Sequence, residues 1–404
     1  MRVLHCCDTW PPQVNGVSVV TTLMVDGLLA SHVDVALITP RYPAHMHDIV
    51  GMVRPTIEHL TLPSVQLPVY KDVRVSAPLA GRVEKFVRDF RPNLVHVDTE
   101  FIVGRLGARA ARRLGIPIVT SFHTNFAQYM ASYGAPWLSR WVERDLVRFH
   151  QRSRLILTPS SVTKNWLNQN GLEHVDVFGR AVDIAVFSPE KRSDEWRRRV
   201  GAGGAKGAGG AGDVITFLHV GRLAAEKNLD LLLDGFAIAR ARLGARVQLI
   251  IAGDGPVARP LRARAPEGTT FIGFIDRDTE LPGLYASCDA FLNTSLTETL
   301  GLVILESMAS GLPVAAVAAG GIADHLRHEE NGLAIDNTAL SVADAVVRLT
   351  NDSDLRARLG AGGRRWAEHL SWEREMDRLV GRYQEVVAGA RRTSGPSRAL
   401  SDSV

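Results

Sequence analysis

Short runs of Val, Ile and Leu recur along the chain, separated by longer stretches in which apolar residues return every three or four positions. A run that is apolar throughout marks a strand buried on both faces, and the helical period between such runs marks the helices that cover it. In the first half the runs predict strands over Arg2–Cys7, Val33–Thr39, Leu94–Val97, Ile116–Ser121, Leu155–Thr158 and Val175–Phe178. The pattern restarts after Asp213, with strands predicted over Val214–Val220, Val247–Ala252, Phe271–Gly273, Ala290–Asn293 and Val314–Val317. Strands alternating with helices twice over predict an α/β chain with two sheets.

At 404 residues the chain exceeds one ordinary core and suits two domains, placed at residues 1–189 and 213–371. Between them, residues 190–212 are predicted to be a flexible insertion, because the GAGGAKGAGGAG stretch over 201–212 cannot bury apolar area. Residues 391–404 are predicted to form a disordered tail. A composition of 46% hydrophobic and 22% charged residues is that of a soluble globular protein. No apolar run reaches the roughly 18 to 20 residues of a bilayer span, and Met1–Cys7 is too short for the apolar part of a signal peptide, so a cytoplasmic location is expected. Cys6, Cys7 and Cys288 lack CxxC or metal-ligand spacing and read as buried thiols. A formal charge of +4 suits anionic substrates, an anionic lipid surface or nucleic acid, and does not choose among them.

In FLHVGRLAAEKNLDLLLDGF a strand ends at Val220, a Gly turn follows, and a helix is predicted to begin near Lys227 to Leu229. Ligands of open α/β sheets bind at the carboxyl ends of strands, so Arg222 and Lys227 are placed beside a crevice and a helix N-terminus, where they suit a diphosphate. A pair of solvated surface charges is the bland alternative. The stretch SLTETLGLVILESMASGLPVA puts Glu298 in a loop at a strand end and Glu306 near the start of a helix. A carboxylate accepts hydrogen bonds from hydroxyls, so Glu306 suits a ribose diol and Glu298 a hexose, while Leu300, Gly301 and Leu302 offer backbone amides. Each acid could instead serve its helix locally, as a cap or as a first-turn charge. Asp276-Arg277-Asp278 mimics a metal-binding DxD motif, but its position ahead of a helix at Glu280–Ser287 suits ordinary capping.

The segments GRLAAEKNLDLLL, IIAGDGP and TETLGLVILESMASGLPV occur in this order and resemble the family 4 retaining glycosyltransferases. The resemblance implies the GT-B fold, two Rossmann-like doubly wound domains facing across a cleft, with the donor held by the second. It implies that Arg222 and Lys227 bind the donor diphosphate, that Glu298 and Glu306 contact the donor sugar and ribose, and that Leu302 contributes an amide near the phosphates. The TETLG form, where many members have Phe before the Gly, is most similar to the branch that makes sulfoquinovosyl and related diacylglycerol glycolipids.

In the first half, VLHCCDTWPPQVNGVSVV reads as a strand, a loop and a helix starting near Val17 to Ser18, with Gly16 at its beginning. Without a Cβ, Gly16 lets a phosphate approach the backbone amides and the positive helix end. Asn15 stands where the family often has another glycine. TSFHTNF places His123 beyond a strand end; the matching family histidine contacts the donor sugar and helps stabilise the transition state. Tyr129 and Tyr133, four apart, suit an acceptor pocket or simple core packing. The helix from Trp372 is similar to the family's closing helix, which over 372–390 crosses back to complete the first domain, and RAVDIAVFSP resembles the interdomain segment with Ala181 in place of the usual Gly.

Arg140, Arg144, Arg148 and Arg152 recur at intervals of four beside Trp137 and Trp141. Such a ridge suits an interfacial helix on anionic lipid, and equally a solvated face balanced by Glu143 and Asp145. Taken together, the sequence predicts a hexosyltransferase that needs neither metal nor cofactor. Its donor would be a GDP- or UDP-linked sugar such as GDP-mannose, its acceptor a membrane glycolipid or diacylglycerol, and its location peripheral on the inner membrane face, with no nucleic-acid partner. A soluble or polysaccharide acceptor, and a non-catalytic nucleotide-sugar-binding protein at the membrane, are the alternatives. In the expected mechanism domain closure excludes water, the two cations stabilise the leaving diphosphate, and the acceptor attacks from the departing face. Retention of configuration is implied by the resemblance.

Overall fold

The computed structural model describes residues 1–13, 15–43, 57–66, 74–123, 136–201 and 214–393. Its first sheet has seven strands in the order β3-β2-β1-β6-β7-β8-β9, with every neighbouring pair parallel. These are β1 (Arg2–Cys6), β2 (Asp34–Pro40), β3 (Glu58–Leu62), β6 (Leu94–Val97), β7 (Ile118–Ser121), β8 (Leu155–Thr158) and β9 (Val175–Val177). The hairpin of β4 (Ser64–Gln66) and β5 (Arg74–Ser76) stands apart from it. The second sheet has six parallel strands in the order β12-β11-β10-β13-β14-β15. They are β10 (Ile215–Val220), β11 (Val247–Ala252), β12 (Thr269–Gly273), β13 (Ala290–Asn293), β14 (Val314–Val317) and β15 (Leu333–Ile335).

In both sheets the strand order reverses once, between β1 and β6 and between β10 and β13. Connections on the two sides of such a switch run to opposite faces and leave a crevice at the carboxyl ends, where open α/β sheets bind their ligands. The chain therefore carries two such crevices, one at the carboxyl edge of each sheet.

Helices cover both faces. Around the first sheet lie α1 (Gly16–Ala30), α2 (Ala80–Phe90), α3 (Ile102–Arg113), α4 (Pro136–His150) and α5 (Ser161–Gln169). The short α6 (Asp194–Arg199) leads to the second sheet with α7 (Leu229–Leu243), α8 (Ala258–Arg264), α9 (Leu281–Ser287), α10 (Leu302–Ala309), α11 (Ala339–Asn351) and α12 (Ser353–Glu368). The last helix, α13 (Trp372–Thr393), returns to α1, where Met376, Leu379 and Tyr383 join Met24, Val25 and Leu28 in one buried cluster. Gly27 makes room for this contact, because a Cβ there would stand 2.5 Å from Cγ of Met376.

Three expectations need correction. Residues 190–200 are not part of a flexible insertion. A 3-10 turn at Pro189–Lys191 and α6 fold onto the second domain, where Arg197 donates to the Ser287 carbonyl at 3.1 Å and to Asp289 at 3.2 Å. Residues 202–213 lie outside the described residues. Arg391 and Arg392, expected in a tail, belong to α13, which continues to Thr393; 394–404 lie outside the described residues. The edge strands β3 and β15 and the β4–β5 hairpin were not predicted, because Glu58 and His59 break the apolar run of β3 and the other three strands have three residues each.

Candidate active site

At the second switch point the backbone is shaped by glycines. A Cβ on Gly253 would stand 1.9 Å from the Gly221 carbonyl oxygen, and one on Gly255 would stand 2.3 Å from that of Leu223. The IIAGDGP motif is thus the floor on which the GRL turn rests, fixed by a Leu223 amide bond to the Asp254 carbonyl at 3.0 Å. Arg222 follows β10 in this turn and is half-buried. Lys227 sits in a 3-10 turn (Ala225–Lys227) rather than in the helix, because Asn228 takes a left-handed conformation at φ 54° before α7 begins at Leu229.

The loop after β13 brings Glu298 across to this turn. Lys227 Nζ donates to Glu298 Oε1 at 2.6 Å. A second glycine pair, which sequence reasoning passed over, supports the acid: the Gly321 amide donates to the Glu298 carbonyl at 2.6 Å, and a Cβ on Gly320 would stand 2.3 Å from the same oxygen. Gly301, at φ 78°, then turns the chain into α10, so that Leu302 begins the helix. The first-turn amides of a helix carry positive partial charge, as donor phosphates require. Leu300 is buried and reaches the first domain, where a Cβ on Gly179 would come within 3.9 Å of its Cδ2.

Glu306 lies one turn into α10 and is sealed, its side chain 3% exposed. Arg277 Nε donates to Oε1 at 2.9 Å, its Nη2 forms an ion pair with the same oxygen at 2.8 Å, and Tyr285 donates to Oε2 at 3.3 Å. Burial pushes the Glu306 carboxyl up from its usual range and Arg277 opposes it. Glu306, expected to face the crevice, is thus buried and held by Arg277 and Tyr285. The residue responsible was overlooked as the middle of Asp276-Arg277-Asp278. Asp276 caps the turn, accepting from the Asp278 and Thr279 amides at 3.1 and 2.9 Å and from the Thr279 hydroxyl at 2.6 Å, as expected of a local cap.

In the first domain, Asn15 caps α1 in an extended conformation, its side chain and that of Ser18 bonding reciprocally. The helix starts at Gly16, slightly earlier than predicted. Space over Gly16 is open, with nothing within 4 Å of a Cβ placed there. Asp8 ends the β1 segment and closes the N-terminus of α3, accepting from the amides of Val103 at 2.8 Å and Gly104 at 3.2 Å. Burial raises its pKa to about 6.

His5, His96 and Asp98 form a buried cluster at the β1/β6 switch, their ligand atoms within 4.8 Å of one another. Both ring nitrogens of His96 are engaged, Nε2 with Ser121 Oγ at 2.8 Å and Nδ1 with the Tyr383 hydroxyl, while His5 Nδ1 faces Asp98 at 3.1 Å. With Asp98 bonded to His5, the cluster is a hydrogen-bond network rather than an open ligand set. His123 follows β7, its Nε2 enclosed and without a partner among the described residues, and burial lowers its pKa so that the ring is neutral.

Tyr129 and Tyr133 lie outside the described residues, as does the side chain of Trp137. Arg140, Arg144 and Arg148 are exposed on α4, and Trp141 beside them is 69% exposed. Arg152 lies past the end of that helix, so the ridge has three helical members instead of four. No helix among the described residues is long and apolar enough to cross a membrane.

The two halves touch beside the crevice. Asp324, which follows the Gly320-Gly321 pair, accepts from the Ser161 amide and from Arg180 Nη2, each at 2.7 Å. Nothing in the sequence pairs these residues.

Comparison with known proteins agrees with this geometry. Residues 14–186 match the model of Glycosyltransferase Family 4, and residues 207–366 match that of Glycosyl transferases group 1. The chain is 32% identical over 401 residues to a GDP-mannose-dependent alpha-mannosyltransferase of Mycobacterium tuberculosis, covering 97% of this chain and 98% of that protein. It is also 32% identical over 321 residues to the sulfoquinovosyl transferase of Arabidopsis thaliana, covering 76% of this chain and 60% of the relative. Among solved structures, HepE of Anabaena in complex with UDP superposes with a TM-score of 0.75 at 19% identity, over 95% of this chain and all of that one. The chain belongs to the family 4 glycosyltransferases and is a hexosyltransferase of GT-B architecture.

Proposed function

We propose that the enzyme transfers mannose, with retention, from GDP-mannose to a hydroxyl of a membrane lipid. The observation that carries the donor site is the Lys227–Glu298 pair at the second switch point, next to Arg222 and the amides that open α10. Cations beside a helix N-terminus suit a diphosphate, and a carboxylate held by one of them suits the hydroxyls of the sugar it carries. The choice of guanine nucleotide and mannose follows the mycobacterial relative, which aligns over nearly the whole of both chains. The choice of a lipid acceptor draws on the sulfoquinovosyl transferase and on an alpha-monoglucosyldiacylglycerol synthase of Streptococcus pneumoniae, 28% identical over 333 residues.

Bond breaking places negative charge on the diphosphate, which Arg222, Lys227 and the Leu302 amide stabilise. The acceptor hydroxyl attacks on the face the diphosphate leaves, and its proton passes to the departing phosphate oxygen. His123, a neutral ring beyond β7, faces the sugar from the first domain. In this reading the two cations carry the charge that a divalent ion carries elsewhere, so transfer proceeds in chelator. The enzyme works as a peripheral protein, with Trp141 and the α4 arginines resting on anionic lipid.

The test is a melting-temperature screen with GDP, UDP and ADP and their common sugars, followed by NMR of the product formed on lipid vesicles in EDTA. Stabilisation by GDP and GDP-mannose, with an α-mannoside as product, is the expected result. An inverted anomer, or stabilisation by UDP alone, would overturn it.

A further inference from the structure

At its switch point the second sheet opens. The ladder between β10 and β13 ends at Leu218↔Phe291 among the described residues, while β10 stays with β11 as far as Val220↔Ala252 and β13 with β14 as far as Asn293↔Ala316. The two strands therefore part at the root of the crevice. One runs on to Gly221, Arg222 and Lys227, the other to Glu298 and the start of α10. His219 is the first residue of β10 past the last pair. It is buried and stacked on Phe291, and its Nδ1 donates across the gap to the Leu292 carbonyl at 3.0 Å. Its Nε2 lies 3.5 Å from the place a Cβ would take on Gly221, where the cation-bearing turn begins.

We propose that His219 is a positioning residue for the donor: its ring bridges the parted strands and fixes the span across which Arg222 and Lys227, on one side, and the amides opening α10, on the other, grip the diphosphate. This rests on the reading of that crevice as the diphosphate site. Two further bonds cross the gap farther out, from Thr294 Oγ1 to the Asn228 carbonyl at 2.9 Å and from Lys227 to Glu298 at 2.6 Å, so His219 is the rung nearest the sheet. The bond has one polarity. A carbonyl only accepts, so the proton sits on Nδ1, and Nε2 keeps a lone pair that has no partner among the described residues. Burial, opposed by the bond to Leu292 and helped by Lys227, lowers the ring's pKa to about 4, so the bridge adds no charge beside the cations at neutral pH. A phenyl ring here fills much the same space but leaves the Leu292 carbonyl without this donor. An asparagine, whose amide nitrogen stands roughly where Nδ1 does, restores it.

The experiment is calorimetric titration with GDP and GMP, which differ by the phosphate the cations are read to hold. It compares the wild type with His219→Phe, His219→Asn, Lys227→Met and Leu349→Ala, the last a buried residue of α11 outside the site. The wild type should bind GDP about tenfold or more tightly than GMP, as bonds to a charged group require. His219→Phe should cut that preference about threefold or more, and His219→Asn should keep it within about twofold of the wild type. Leu349→Ala shows what a merely structural change does, a lower melting temperature with the preference intact. The same signature in His219→Phe would overturn the proposal, as would an asparagine variant that recovers nothing. Should His219→Phe fail to fold, His219→Leu, which also lacks the donor, is read by the same criteria. A wild type that does not prefer GDP to GMP, or a Lys227→Met variant that keeps the full preference, would instead bring down the diphosphate reading of the crevice, and the role of His219 with it.

Discussion

Lys227 Nζ stands 2.6 Å from Glu298 Oε1, with the two side chains 17% and 16% exposed, at the centre of the proposed donor site. The pair holds each partner in place before substrate arrives, so neither has to be ordered afterwards. Lys227→Met should remove charge stabilisation of the leaving diphosphate and leave Glu298 without this partner. Initial-rate measurements are expected to show a loss in kcat of about 10²- to 10³-fold. Glu298→Gln should impair sugar transfer while GDP affinity, read by titration, stays near the wild-type value.

The Tyr383 hydroxyl bonds to His96 across 287 positions of sequence and joins the last helix to the first sheet. Tyr383→Phe leaves the His96 nitrogen unpaired in a dry core. Urea unfolding should show a destabilisation of about 1 to 3 kcal/mol.

Asp8 gives a pH prediction with a defined sign. Its folded pKa is about 6 against an ordinary value near 3.8, so between these values the folded chain binds more protons than the unfolded one. Stability from this group is present at low pH and is lost as pH rises through about 6, with a slope of about 1.4 kcal/mol per unit. The difference between wild-type and Asp8→Asn unfolding free energies should follow that curve, and a flat difference between pH 4 and 6 would refute it.

Asp324 ties Ser161 and Arg180 of the first domain to the segment that supports Glu298. If the proposed donor site lies in the second domain, Asp324→Ala should leave GDP affinity within about threefold of wild type and slow transfer by roughly tenfold through poorer closure. A parallel loss of affinity and rate would contradict this division.

Replacing Arg140, Arg144 and Arg148 by Glu should reduce binding to phosphatidylglycerol vesicles by about 100-fold or more, at about 1 kcal/mol for each basic residue near the surface. Binding to neutral vesicles serves as the comparison. Equal sedimentation of wild type and variant would assign the α4 ridge to solvent.

Much of the fold was legible because parallel strands covered on both sides are largely apolar, as in Val35–Ile38 or Leu249–Ala252. β3 escaped detection because Glu58 and His59 face outward at an edge. The residues of the proposed donor site stand out for a different reason: Arg222, Lys227, Glu298 and Gly301 occur in compact motifs whose spacing is set by strand ends. Their supports do not. Arg277 meets Glu306 over 29 positions and Asp324 meets Arg180 over 144, and side-chain pairing at such separations leaves no local period to read. Arg277 was also screened by its two aspartates, which drew attention to a metal motif and away from the cation between them.

The return of α13 to the first domain bears on how the protein is made. Met376, Leu379 and Tyr383 are laid against α1 only after the whole second domain has been synthesised. Until then the nascent first domain carries an open apolar furrow, and His96 waits for its phenol. A ribosome stalled before residue 372 would therefore display a sticky, half-finished domain, a natural substrate for chaperones and proteases.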